Sequence, residues 1–95
     1  MVQKYFKKPI PIEAIQWTGK NINEIQKFTN QDVCIKNGHL VLNTLEGTFV
    51  SKNKTGDWVI KGIKGEFYIC EKTIFEESYI EFDDERSYAC AQMMY

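Results

Sequence analysis

The chain has 95 residues, of which 43% are hydrophobic and 14% aromatic, and its formal net charge is −1. This length suits one domain, and the hydrophobic content is sufficient for one core, which argues against disorder. Apolar runs are far shorter than the ~18 residues of a membrane span, and the N-terminal lysines are not followed by the apolar stretch of a secretory signal. We therefore expect a cytosolic protein that does not associate with membranes, and the near-neutral charge disfavours direct nucleic-acid binding.

Charge is distributed unevenly along the chain. Residues 1–64 contain ten lysines and five acidic residues, whereas residues 65–95 contain two basic and eight acidic residues. Such segregation can steer a charged partner towards a protein. The preferred interpretation is that the two parts meet in space and neutralise each other.

The residue types that usually carry chemistry are few and widely spaced. The cysteines are Cys34, Cys70 and Cys90, an odd number without Cys-x-x-Cys spacing, so the sequence predicts neither a disulfide framework nor a metal site. His39 is the only histidine, and its neighbour Lys36 across a predicted turn is a poor partner for a general base. We predict a protein that is not an enzyme and that uses no cofactor.

The first predicted elements are a strand and a helix. Residues 9–17 form a strand, whose start is confined to a sheet edge or a lead-in because Pro9 and Pro11 cannot donate to a ladder. Asn21 is a good N-cap with Glu24 three residues later, and it begins a helix that continues to about residue 29. Apolar residues at helical spacing form one stripe on this helix: Ile22, Ile25 and Phe28.

Two hairpins follow the helix. Asn37-Gly38 is the strongest short hairpin signal, and a type I′ turn there pairs Lys36 with His39 and Val33 with Leu42. A second reversal is predicted near residues 46–47.

A third hairpin is predicted around a four-residue loop, Gly62 to Gly65. This register places Lys61 opposite Glu66 as a cross-strand ion pair, and Trp58 opposite Ile69. The predicted core face then comprises Trp58, Ile60, Phe67 and Ile69.

We therefore predict an α+β fold with a single twisted antiparallel sheet of about five strands. The helix at residues 21–29 packs on one face, and a short second helical turn lies near residues 74–79. The helix stripe is expected to cover these side chains: Ile35, Leu40, Trp58, Ile60 and Phe67. Residues 1–82 form the single α+β domain, and residues 83–95 form a C-terminal acidic and aromatic tail.

Several ordered blocks of the sequence are similar to a family of small bacteriophage and prophage proteins of undefined function. The blocks are KKPIPIEAIQWTG at residues 7–19, TLEG at 44–47, GDWVIKGIKGEFY at 56–68 and IFE at 74–76. The resemblance covers about residues 4–80 and implies a phage protein acting in the host cytoplasm, without implying a reaction. This chain departs from the family at residues 69–72, where relatives usually have Pro-Cys-Lys-Pro, and at residues 81–95, which extend beyond the usual end.

The expected function is that of a phage-encoded, non-enzymatic binding protein that counters host defence. Its partner would be a host protein such as a CRISPR effector nuclease, or a nucleotide signal that it sequesters. The candidate binding residues are Trp17, Lys61, Lys64, Glu66 and Tyr68. Apart from Glu66, they would form a surface of stacking and cationic groups for a nucleotide. The alternative is a virion or morphogenesis accessory protein that self-assembles into a homo-oligomer through an exposed edge strand and the aromatic tail.

Overall fold

Eight elements of secondary structure follow one another in the part of the chain that the computed structural model describes, residues 1–6 and 8–81. The elements are β1 (Glu13–Gln16), α1 (Ile22–Thr29), β2 (Asp32–Lys36), β3 (His39–Thr44), β4 (Gly47–Val50), β5 (Trp58–Lys61), β6 (Phe67–Cys70) and α2 (Lys72–Ser78). The predicted tail at residues 83–95, with Cys90, lies outside the described residues.

The strands form two antiparallel sheets of three strands each. Sheet 1 has the order β1-β5-β6, and sheet 2 has the order β2-β3-β4. The predicted α+β class is confirmed, but the single sheet of about five strands is wrong. The cause is the irregular segment 51–57, which carries the chain from sheet 2 to sheet 1. At its start the Ser51 N–H donates to the Leu40 carbonyl of sheet 2, and at its end the Asp57 carbonyl accepts from the Trp17 N–H, next to β1.

One core lies between the two sheets and α1. The fully buried residues of this core come from all three layers: Trp17, Ile25, Leu40, Leu42 and Val59. Partly buried apolar residues extend it, including Ile22 and Phe28, so the whole predicted stripe of α1 contacts the core. The Phe28 ring meets the Phe67 ring edge-on, with centroids 5.5 Å apart, so the expected contact between this stripe and Phe67 is present.

The helix α1 ends where predicted and follows Asn21, but the Asn21 side chain does not cap it as predicted. The Asn21 side chain makes no hydrogen bond to the helix N–H groups. Its oxygen instead accepts from the Thr18 N–H at 2.9 Å, and its amide donates to the Gln16 carbonyl at 2.8 Å and to the Glu24 carboxylate at 3.0 Å. Asn21 therefore fixes the turn between β1 and α1.

The first hairpin has the predicted register. Lys36 pairs with His39 and Val33 with Leu42, and both Asn37 and Gly38 have the positive φ angles that a type I′ turn requires. The second reversal is also in place, with Thr44 paired to Gly47.

The third hairpin is shifted by one residue from the predicted register. Lys61 pairs with Phe67 and Trp58 with Cys70. The Gly65 N–H donates to the Gly62 carbonyl at 3.0 Å, and the Gly62 N–H donates to the Glu66 carbonyl at 2.7 Å. Gly65 has a φ of 84°, so the loop is a tight turn followed by a glycine bulge, and the bulge adds Glu66 to the loop. The predicted cross-strand pair of Lys61 with Glu66 is therefore wrong.

This shift moves two predicted core residues to the other face of sheet 1. Val59, paired with Ile69, faces the core, whereas Trp58 and Ile60 lie on the opposite face. Phe75 of α2 stacks on Trp58 there, with ring centroids 4.2 Å apart. The prediction that α1 covers Trp58 and Ile60 is wrong for the same reason, and Ile35, also assigned to that contact, remains 48% exposed.

The second helix, α2, begins earlier than predicted. The Glu71 carboxylate accepts from the Ile74 N–H at 3.2 Å, so Glu71 serves as the N-cap. The described residues after α2 are not in a strand.

A buried carboxylate joins α2 to the segment between β4 and β5. Asp57 is 1% exposed and accepts hydrogen bonds from the Asn53 N–H at 2.8 Å, the Asn53 side-chain amide at 2.7 Å and the Lys72 N–H at 3.0 Å. Burial raises the pKa of this carboxyl, but the hydrogen bonds from Asn53 and Lys72 outweigh burial and hold the pKa below its ordinary value.

Replacing Trp17 by alanine should destabilise the domain more than replacing Trp58. Trp17→Ala leaves a cavity where the sheets and α1 meet, so we expect a loss of ~3–5 kcal/mol in the free energy of unfolding. Trp58 is only half-buried, so Trp58→Ala should cost less. Urea denaturation measures the free energy of unfolding of both variants. A larger decrease for Trp58→Ala than for Trp17→Ala would contradict this description of the core.

Stability should decrease on acidification through Asp57. Because its pKa is lower in the folded state, its contribution is complete above the ordinary carboxyl pKa of about 4 and is lost as the pH falls through the folded value. At neutral pH, Asp57→Asn should lower the free energy of unfolding by ~1.5–3 kcal/mol, and the difference from the parent should shrink in acid. Denaturant titrations across pH, with the exposed Glu76→Gln as control, would refute this if the difference stayed constant.

Candidate functional site

A groove lies between the tips of the second and third hairpins. Its volume is about 220 Å³. It is lined by Gln31, Thr44, Leu45, Glu46, Lys64, Gly65, Glu66 and Phe67, and we call it the tip groove. Two predicted site residues, Lys64 and Glu66, are brought together in it.

Gly62 determines how the third-hairpin loop presents its charges. A side chain at Gly62 would collide with the Glu66 carboxyl group, which folds over this glycine. One Glu66 carboxylate oxygen accepts from the Lys64 N–H at 3.3 Å. Glu66 is therefore held against its own loop, whereas Lys64 is exposed.

The tips of the second and third hairpins each carry an exposed aliphatic side chain. Leu45 is fully exposed, and Ile63, next to Lys64 in the loop, is 67% exposed. The Leu45 turn is held by the Thr44 hydroxyl, which donates to the Gly47 carbonyl at 2.9 Å and accepts from the Glu46 N–H at 3.1 Å. The tip groove thus combines charged residues with the aliphatic side chain of Leu45, and Ile63 lies beside the groove on the neighbouring turn.

The other predicted site residues lie elsewhere. Trp17 is 1% exposed, and its indole N–H donates to the Lys54 carbonyl at 2.7 Å, so this ring is part of the core. Lys61 is half-buried on β5, between Glu13 of β1 and Phe67 of β6.

Tyr68 is on the face of sheet 1 that α2 covers. It pairs with Ile60, on the same face as Trp58, and the Phe75 ring lies between those of Trp58 and Tyr79. Burial, followed by a hydrogen bond with the Tyr79 side chain, raises the pKa of Tyr68 to about 12. The structure therefore separates the residues proposed to stack and bind a nucleotide onto different surfaces.

His39 and Cys70 lie in structural environments and not in a reactive site. His39 is half-buried, and its Nδ1 lies 2.9 Å from the Ser51 carbonyl, so a donating Nδ1–H fastens β3 to the segment after β4. Burial, with the nearby carboxylates of Glu71 and Asp57, raises the pKa of the Cys70 thiol, which favours the unreactive protonated form.

The described residues provide neither a metal cluster nor a membrane span. Within residues 1–6 and 8–81, histidine, cysteine and acidic side chains do not gather into a group of three or more that could hold a metal ion. In the same part of the chain, each helix is too short or too polar to cross a membrane.

Sequence reasoning missed the half of the tip groove that the second hairpin contributes. Leu45 and Glu46 form a two-residue turn, and an aliphatic residue at such a position has no access to the core. An aliphatic residue in a two-residue turn was therefore a usable signal. The proximity of the two hairpin tips has no signature in the sequence.

The scan against protein-family models found no match, and neither the search of curated proteins nor that of solved structures found one.

The loop at the third hairpin should depend on the left-handed conformation of Gly65. Its φ is 84°, and a side chain added there meets open space, so the cost of substitution is conformational and not steric. Gly65→Ala should lose about 1–2 kcal/mol of unfolding free energy. Gly65→Asn should lose less because asparagine tolerates this region better. Equal losses in urea denaturation would contradict this account of the bulge.

Proposed function

We propose that this protein is a non-enzymatic binding protein that docks a host protein at the tip groove. We also propose that the chain is a phage protein and that its partner belongs to the antiviral defence of the host, such as a CRISPR effector nuclease. The chain would act by covering a functional surface of that partner.

The observation that carries this proposal is the position of Leu45 and Ile63 on the two tips that form one groove. Single exposed aliphatic residues are common on protein surfaces and need no explanation. Here both are on turns fixed by hydrogen bonds within each hairpin. Because these hydrogen bonds already fix the backbone of both turns, association does not have to order it, which favours the use of the turns in binding.

The charges of the tip groove indicate which surface would fit. Lys64 is exposed, whereas Glu66 is held by its own loop. We propose a partner surface that presents a carboxylate to Lys64 and apolar contacts to Leu45 and Ile63. Charge complementarity of this kind contributes to partner selection and to the rate of association.

The protein version of the function is preferred to sequestration of a nucleotide. Nucleotide binding by stacking would need aromatic rings beside cationic groups on one surface. Trp17 lies in the core and Tyr68 faces α2, while Lys64 lies at the tip groove. The geometry therefore favours a protein surface as the ligand.

Reversing the charge of Lys64 should abolish the protective activity without changing stability. Cells carrying a panel of defence systems would express the parent, Lys64→Glu or Lys20→Glu, and phage plating would be scored. Lys20 is also exposed but follows β1 at the end of sheet 1 opposite the third-hairpin loop, so its charge reversal is a matched control. We expect Lys64→Glu alone to lose protection, with melting temperatures nearly equal among the three.

Two outcomes would contradict the proposal. A parent protein that rescues phage against none of the systems would count against the anti-defence role. A Lys64→Glu variant that melts normally and still protects would exclude the tip groove as the docking surface.

Leu45→Ser tests the proposed apolar contact in the same plating assay, because this exposed side chain can be truncated without opening the core.

A further inference from the structure

Sheet 2 has an edge strand whose outward backbone groups can be identified from the ladder. Among the described strands, β2 pairs only with β3. The Leu40 carbonyl and N–H both bond on the β4 side, to the Ser51 N–H at 2.8 Å and the Ser51 hydroxyl at 2.9 Å. Leu40 lies opposite Ile35, so these two form a non-hydrogen-bonded pair and the N–H and C=O of Ile35 point away from β3. By alternation, those of Val33 point outward as well.

The sequence of this edge is complementary to itself when two copies run antiparallel. The strand reads Asp-Val-Cys-Ile-Lys over residues 32–36. With Cys34 opposite Cys34 of a second copy, each Asp32 meets a Lys36 and each Val33 meets an Ile35. Opposite charges in direct cross-strand positions are favourable, as are pairs of β-branched residues.

The hydrogen-bond pattern agrees with this register. The pairs of Val33 with Ile35 use the outward backbone groups of both strands, and Cys34 falls in a non-hydrogen-bonded pair. Two other registers also use the outward backbone groups, one pairing Val33 with Val33 and the other pairing Ile35 with Ile35. They would place Asp32 or Lys36, respectively, opposite Cys34. The register centred on Cys34 is therefore the one that satisfies both the backbone and the charges.

Exposure of the side chains on this edge gives the pairing an apolar component. Ile35 is 48% exposed although its cross-strand neighbour Leu40 is fully buried, so the apolar layer of sheet 2 ends unfinished at β2. A second β2 would cover Ile35 with a Val33 side chain.

We infer that two copies of this chain associate through antiparallel pairing of β2, giving a continuous six-stranded sheet across a two-fold axis. This inference goes beyond the proposed docking at the tip groove and does not depend on it.

The charge pattern provides the decisive test. Sedimentation over a concentration series under reducing conditions should show a weak dimer, because the contact is small. Asp32→Lys and Lys36→Asp each place like charges opposite one another, so each should weaken dimerisation by about tenfold. The double variant Asp32→Lys, Lys36→Asp restores opposite charges in the same register and should recover the dimer. The inference would be overturned if the single substitutions left the dimer affinity unchanged, or if the parent remained a monomer at every concentration.

Cys34 reports the register by cross-linking. A non-hydrogen-bonded pair sets the Cα atoms about 4.5 Å apart, within the range of about 4.4–6.8 Å that a disulfide spans. Diamide takes two electrons and two protons from two thiols as they join, and it should link a variant that keeps only Cys34. A matched variant that keeps only Cys70 should stay uncrosslinked, and cross-linking of both to the same extent would overturn the register.

Amide exchange on the parent chain avoids dependence on any variant. At low concentration the Val33 and Ile35 amides, which point away from β3, should exchange rapidly. At high concentration their protection should increase, while that of Cys34, bonded within the chain, should change little. Protection that is independent of concentration would overturn the inference even if the charge variants fail to fold.

Discussion

The position of Trp17 is the constraint on which the rest of the structure depends. Its ring occupies the core where α1 and the two sheets meet, and its indole N–H is bonded to the Lys54 carbonyl. Its backbone also bonds to Gly56 and Asp57, which extends the pairing of β1 with β5. One residue therefore fixes the segment between the sheets, which carries the chain from one sheet to the other. An unpaired indole N–H in a core would be costly, so the ring and the segment position each other.

The buried carboxylate of Asp57 completes this junction from the other side. Its bonds to Asn53 and Lys72 connect the same segment to the start of α2. The α2 helix has seven residues, too few to be stable alone, and its stability comes from this attachment and from the stacking of Phe75 on Trp58. Both faces of sheet 1 are consequently covered, one by the core and one by an aromatic cluster.

The glycine bulge at Gly65 links the fold to the candidate site. By adding one residue to the loop it brings Val59 to the core and leaves Glu66 at the tip beside Lys64. A four-residue loop would have moved every side chain of one strand to the other face. Within the described residues, the tip groove is built mainly from turns, whereas the outer edge of β2 belongs to a strand whose one described neighbour is β3.

Local signals in the sequence determined the parts of this protein that depend on neighbouring residues. The type I′ turn at Asn37-Gly38 fixed the register of the first hairpin, and apolar spacing fixed α1. The division into two sheets, the burial of Trp17 and the meeting of two hairpin tips depend on contacts between distant residues, which leave no periodic pattern. The third hairpin lies between these cases: its glycines marked the turn, but whether Glu66 belonged to strand or loop was decided by its folding over Gly62. The tertiary structure therefore decided which of the predicted site residues share a surface.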